Sequence, residues 1–151
     1  MNELAALPNG RVLLDTLMLT PEMLHSLPKV PVPVPALRAL LSVLVAQLPF
    51  DENFYAATYP DLAQAKQSGS IADLRTHFLE HGYLEGRLGA KPEIDEKFYR
   101  EMYPDVAIGI SRGEMRSAAD HYVRAGAAEG RFANPAQMRA CRQWQEILGG
   151  R

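Results

Sequence analysis

The sequence predicts an all-α protein built on a tandem duplication, and three observations carry that expectation. The stretch FYAATYPDL at Phe54 returns as FYREMYPDV at Phe98, forty-four positions on. Apolar residues recur at helical spacing, and no segment alternates with period two for long enough to make a strand. Helix start and stop signals punctuate the chain at short intervals, with aspartate before each repeated motif and proline inside it.

Taken in order, residues 1–49 form an N-terminal helical flank. The run LPNG marks a turn, and a helix is expected around Val12–Met18. A second short helix reads from TPEMLHSL, with Thr20 as N-cap and Pro21 at the first helical position. PKVPVPVP is extended and polyproline-like, a stiff connector or else a docking strip for a partner. ALRALLSVLVAQL, roughly residues 36–48, carries Leu37, Leu40, Leu41, Leu44, Val45 and Leu48 on one stripe, widened by Val43. That pattern predicts an amphipathic helix whose stripe is core, the alternative being a partner or membrane face.

The repeat follows as residues 50–93 and 94–134. Phe50–Arg87 aligns on Ile94–Arg131 without a gap, with fourteen identities in thirty-eight positions. A period of this size means a duplicated supersecondary unit. Asp51 and Asp95 stand where an N-cap belongs. Tyr55 and Tyr59, like Tyr99 and Tyr103, lie at i, i+4, so one side of the first helix is aromatic. Pro60 and Pro104 stop that helix and start the next, with Asp61 and Asp105 at its positive end. The second helix ends near Gly69 and Gly113. A third is expected from about Ile71 to His81, with Leu74, Phe78 and Leu79 inward; the second copy's inward set is Met115, Ala118, Ala119, Tyr122 and Val123. Gly82 and Gly126 read as left-handed C-caps. A unit of about forty residues is too small to bury a sufficient core alone, so the copies are expected to pack together. Residues 135–151 give a last helix capped by Asn134, with Ala140, Cys141, Trp144 and Ile147 turned toward the repeats. One compact domain is expected.

The bulk numbers exclude several classes. A hydrophobic fraction of 47% with 23% charged residues is that of a globular chain, not a disordered one. Net charge is −2, so the basic face of a nucleic-acid binder is not expected. One cysteine, Cys141, rules out an internal disulfide. The N-terminus lacks a basic segment ahead of an apolar run, and the most apolar helix is too short to span a bilayer. A soluble, cytoplasmic protein without a transmembrane segment is expected.

The search for chemistry returns little. There is no phosphate-binding glycine loop and no nucleophile elbow. His77 and His81 at i, i+4 can in principle hold zinc, but His81 has Ala125 as its counterpart. His77 and His121 both recur, which favours a structural bond to the preceding turn or to the Tyr-Pro-Asp corner. Arg87 and Arg131 close each unit, and a guanidinium fork there can pair with Asp61 or Asp105. The alternative is a groove for a sugar or anion, lined by Tyr55, Tyr59, Asp61, His77 and Arg87 and by Tyr99, Tyr103, Asp105, His121 and Arg131. No catalytic residue, metal or cofactor is expected.

The order F-D-x-x-F-Y-x-x-x-Y-P-D-L, then H-F-x-x-x-G-x-x-E-G-R, resembles a short tandem repeat of bacterial surface-polysaccharide biosynthesis proteins, where it often sits beside glycosyltransferase domains. The resemblance covers about residues 50–131. It rests on Phe54, Tyr55, Tyr59, Pro60, Asp61, His77, Gly82, Glu85, Gly86 and Arg87 and their counterparts. No attached glycosyltransferase domain is expected from this sequence, and its middle segment, AQAKQSGSIADLRT, is longer. The resemblance implies a non-enzymatic adaptor or accessory subunit in polysaccharide or glycoconjugate assembly. Its expected partner is a protein, such as a glycosyltransferase or polysaccharide-assembly subunit, with self-association left open. A glycan-binding module is the alternative.

Overall fold

The computed structural model describes residues 7–149, and the described residues are helical with no strand. Where the sequence suggested one compact domain, the chain divides into two compact units, Met1–Leu48 and Pro49–Arg151. Among the described residues no helix is long and apolar enough to cross a membrane.

In the first unit, α1 spans Gly10–Thr16, two residues ahead of the expected start. The reason is Asn9 of the LPNG turn, whose side chain accepts from the Arg11 N–H at 2.9 Å. The helix ends in a Schellman turn: Leu19 N–H reaches Leu14 O and Met18 N–H reaches Asp15 O, with Met18 at φ 54°. Helix α2, Pro21–Ser26, is capped by Thr20 as expected. Helix α3, Val34–Val45, accommodates proline in its first turn and so begins two residues early. Its apolar stripe is not a closed core: Val45 is buried, but Leu37, Leu44 and Leu48 are exposed. Besides Val45, the large apolar side chains buried among the described residues of this unit are Leu17 and Leu19. So short a segment cannot wrap a full stripe.

In the second unit each copy is three short helices. The first copy has α4 (Glu52–Thr58), α5 (Pro60–Gln67) and α6 (Leu74–His77). The second has α7 (Glu96–Met102), α8 (Pro104–Ser111) and α9 (Ala118–His121). Asp51 and Asp95 cap as the sequence indicates, accepting from Phe54 N–H at 3.0 Å and Phe98 N–H at 2.9 Å. The third helix starts later than Ile71, because Asp73 and Ser117 supply its N-caps. It also changes pitch. Phe78–Gly82 and Tyr122–Gly126 form wide π turns, closed by Tyr83 N–H to Phe78 O and Ala127 N–H to Tyr122 O.

Each copy has its own buried cluster, and Leu88 of the first copy also packs against that of the second. Tyr55, Leu62, Leu74 and Phe78 are buried in the first. Tyr99, Val106, Ala118, Tyr122 and Ala133 form one cluster in the second, with Leu88, Ile94 and Met115 packed against it. The principal helix packing is α4 with α5 and α6, and α7 with α8 and α9. The turn at Gly86 comes beside Ala128 of the second copy, both residues staying exposed. Each copy is also closed end to end, since Asp51 N–H donates to Gly89 O at 2.9 Å and Asp95 N–H to Ala133 O at 3.0 Å.

The last helix, α10 (Pro135–Ile147), departs from expectation. Trp144 and Ile147 are exposed, not buried against the repeats; Cys141 is half-buried and Ala140 exposed. Its beginning is anchored by hydrogen bonds. Asn134 donates to Glu93 O at 3.0 Å, and Gln137 exchanges hydrogen bonds with Tyr122 Oη and accepts from Ala133 N–H. A helix held at one end leaves its far turns in water.

Candidate functional site

The recurring polar residues gather into one connected cluster per copy. In the second, proline at the first turn of α8 sets Asp105 beside the chain that returns after the π turn. Arg131 approaches it as a fork: Nη1 donates to Oδ1 at 3.0 Å and Nη2 to Oδ2 at 2.8 Å. Its Nε donates to Glu129 Oε2 at 2.6 Å. The guanidinium carbon lies 4.9 Å from the centre of the Tyr103 ring, a cation–π contact. Tyr103 Oη then accepts from Phe132 N–H at 2.7 Å. One arginine thus ties the corner, the end of the unit and the tyrosine between them.

The first copy repeats the pattern more loosely. Both Nη atoms of Arg87 reach a single oxygen of Asp61, at 3.4 Å. Arg87 Nε donates to Glu85 at 2.8 Å, its guanidinium is 4.9 Å from the Tyr59 ring, and Leu88 N–H donates to Tyr59 Oη at 2.8 Å. The electrostatics follow the geometry. The hydrogen bond from Arg131 holds the Asp105 carboxyl below its usual range. The bond to Asp105 raises Arg131 despite burial. Burial works against the charge on Arg87, and the bonds and charges of Glu85 and Asp61 more than reverse it.

Beneath each clasp is a tyrosine–histidine pair. Tyr55 Oη and His77 Nδ1 share a hydrogen bond at 3.1 Å, and so do Tyr99 Oη and His121 Nδ1. The histidine partner is thus the tyrosine of the first helix and not the Tyr-Pro-Asp corner. Both tyrosines are fully buried, and burial pushes their phenols up to about 12. Burial also lowers His77. Tyr55 and Tyr59 rings stand 5.0 Å apart and Tyr99 and Tyr103 rings 4.7 Å apart, so each pair joins its clasp.

Gly82 and Gly126 belong to this site for a reason other than the one their sequence context suggests. Neither has a positive φ; that conformation belongs to Gly86 and Gly130, at 76° and 72°. A Cβ on Gly82 would collide with Tyr55 Oη, and one on Gly126 with Tyr99 Oη. These glycines make room for a phenol. Sequence reasoning also missed the arginine–tyrosine stacking, the second carboxylate at Glu85 and Glu129, and Gln137. The recurrence of Glu beside Arg in both EGR turns was the available signal for the carboxylate.

All ten residues singled out from the sequence therefore fall into two equivalent clusters, five in each. Their polar groups are directed at one another or, for the hydroxyls of Tyr59 and Tyr103, at a backbone N–H. Tyr55 and Tyr99 have no surface to offer a ligand. His77 and His81 rings are 5.7 Å apart, but among the described residues no group of three metal-ligating side chains is assembled. No family model matches this chain, and no curated protein or solved structure shows significant similarity to it.

Proposed function

We propose that this chain is a non-enzymatic helical repeat protein that serves as an adaptor or accessory subunit in bacterial polysaccharide or glycoconjugate assembly, on the cytoplasmic side. One observation carries the non-catalytic part: the recurring Tyr, Asp, His and Arg side chains are engaged with one another in both copies. Groups spent on closing a helical unit are scaffold, and the outward faces are left to do the binding. Those faces include exposed Leu37, Leu44, Trp144 and Ile147. The assembly pathway rests on the resemblance of the repeat.

The test is co-purification of the tagged full chain from its native cells, with the eluate identified by mass spectrometry. Glycosyltransferases or polysaccharide-export subunits in the eluate are expected. Recovery of the protein alone would remove the adaptor reading. Glycan binding is disfavoured by the same geometry, since Arg87 and Arg131 lie over the rings of Tyr59 and Tyr103. A saccharide series should leave Trp144 fluorescence and the melting temperature unchanged.

A further inference from the structure

Between α2 and α3 the chain turns at Pro28 and runs extended to Pro33. The carbonyls of Pro28 to Val32 and the N–H groups of Lys29, Val30 and Val32 have no hydrogen-bond partner among the described residues. The sequence dictates this shape. Ring closure fixes φ at Pro28, Pro31 and Pro33, and Val30 and Val32 each precede a proline and are pushed out of the α region. Pro33 stands at φ −56°, ψ 135°. These are polyproline II values, and that helix leaves its backbone to solvent and turns once in three residues. Residues i and i+3 therefore share an edge, which puts Pro28 and Pro31 in line. Both are exposed, as is Lys29 between them, while Val30 and Val32 are half-buried. Pro31, Val32 and Pro33 line an apolar cleft with Leu17, Leu19 and Met23, so the strip runs along the junction of α1 and α2.

We infer that the Pro28–Pro33 strip is the ligand of an aromatic-lined groove on a partner protein, the kind of surface that takes polyproline II segments. The inference rests on the adaptor reading and names the chemistry of its contact. Proline rings at i, i+3 present flat apolar faces to Tyr and Trp side chains. The unbonded carbonyls beside them are acceptors for the phenol O–H and indole N–H of the same groove. Lys29 is exposed and has no ion pair among the described residues, so an acidic residue at the groove rim complements it. The restrained backbone has little conformational freedom left to lose on docking. A sheet edge does not suit the strip, because three of its six residues are prolines with no N–H to donate. Nor does a bilayer, whose hydrocarbon supplies no donors to free carbonyls. Six residues cover far less than the roughly 1,200 Å² of a stable interface, so the contact is a reversible one.

The experiment captures partners from native cells with the tagged full chain, in parallel as wild type and as the double variant Pro28→Ala, Pro31→Ala. A third form carries a photo-crosslinking benzoylphenylalanine in place of Lys29, and mass spectrometry locates the residues it labels. Circular dichroism verifies the fold of each, and Lys29→Glu, at an exposed position, is a second variant that leaves every proline in place. Wild type should capture a protein that the double variant loses, with the label on a Tyr- and Trp-lined groove of that protein. Once purified, this partner should bind wild type about tenfold or more tightly than the double variant, and Lys29→Glu should also weaken it. Partners held equally by wild type and the double variant overturn the proposal and leave the adaptor reading standing. A label that falls away from aromatic residues overturns it in the same way. A wild type that captures nothing removes both.

Discussion

Gly82 and Gly126 are defined by a single missing atom. The phenol oxygens of Tyr55 and Tyr99 occupy the space a Cβ would need, and each is also held by its histidine. Gly82→Ala and Gly126→Ala should therefore each destabilise the fold by about 1–3 kcal/mol, the usual scale for overpacking a well-filled site. Chemical denaturation checks this; an unchanged midpoint would mean that the tyrosine moves aside freely. The same phenols set the alkaline limit. Their folded-state value is about 12 against an ordinary 10. As pH rises, the unfolded chain loses these protons first, so their contribution is whole below pH 10 and is lost between 10 and about 12. Melting temperature should fall across that window. Tyr99→Phe should flatten part of the fall, and an equally steep fall in that variant would assign it to other groups.

Among the elements, α1 ends where a glycine is usual and a methionine stands instead. Met18 has φ 54° and is 83% exposed. It has a Cβ to strain and little packing to compensate. Met18→Gly should stabilise the N-terminal unit by about 0.5–1 kcal/mol, read as a higher melting temperature or increased resistance of α1 to amide exchange. A loss of stability would show that the methionine side chain is held by packing. The clasp makes the opposite demand. Arg131 uses both arms of its fork on Asp105, its Nε on Glu129, and its plane on Tyr103. A lysine keeps the charge but has neither fork nor plane. Arg131→Lys should consequently lower stability almost as much as Arg131→Ala, by about 1–2 kcal/mol given the partial exposure of the pair. Full retention of the melting temperature by the lysine variant would reduce the clasp to simple charge attraction.

At the scale of the whole molecule, acid should weaken the first copy through His77. Burial lowers this histidine below its usual 6.5. The unfolded chain therefore binds the proton first, and its contribution is complete above pH 6.5 and declines as pH falls below it. His77→Asn, which keeps an amide near the position of Nδ1, should remove that slope; a slope that persists would place the titration elsewhere. The helical class, the repeat and its register, the N-caps at Asp51, Asp95, Thr20 and Asn134, and the proline-marked corner were all legible in the sequence. So was the Arg–Asp pairing, because two copies of the same residues made a shared structural role the simplest account. Those signals act within a few residues, or recur at a fixed offset, and short-range sterics and hydrogen bonding suffice to state them. The role of Gly82, the tyrosine chosen by His77, the arginine stacked on Tyr59, the exposed stripe of α3 and the half-detached α10 were not legible. Each depends on which surfaces meet after the chain has folded back over twenty or more residues. A sequence shows that an apolar stripe or a phenol needs covering, and only the assembled helices decide what covers it.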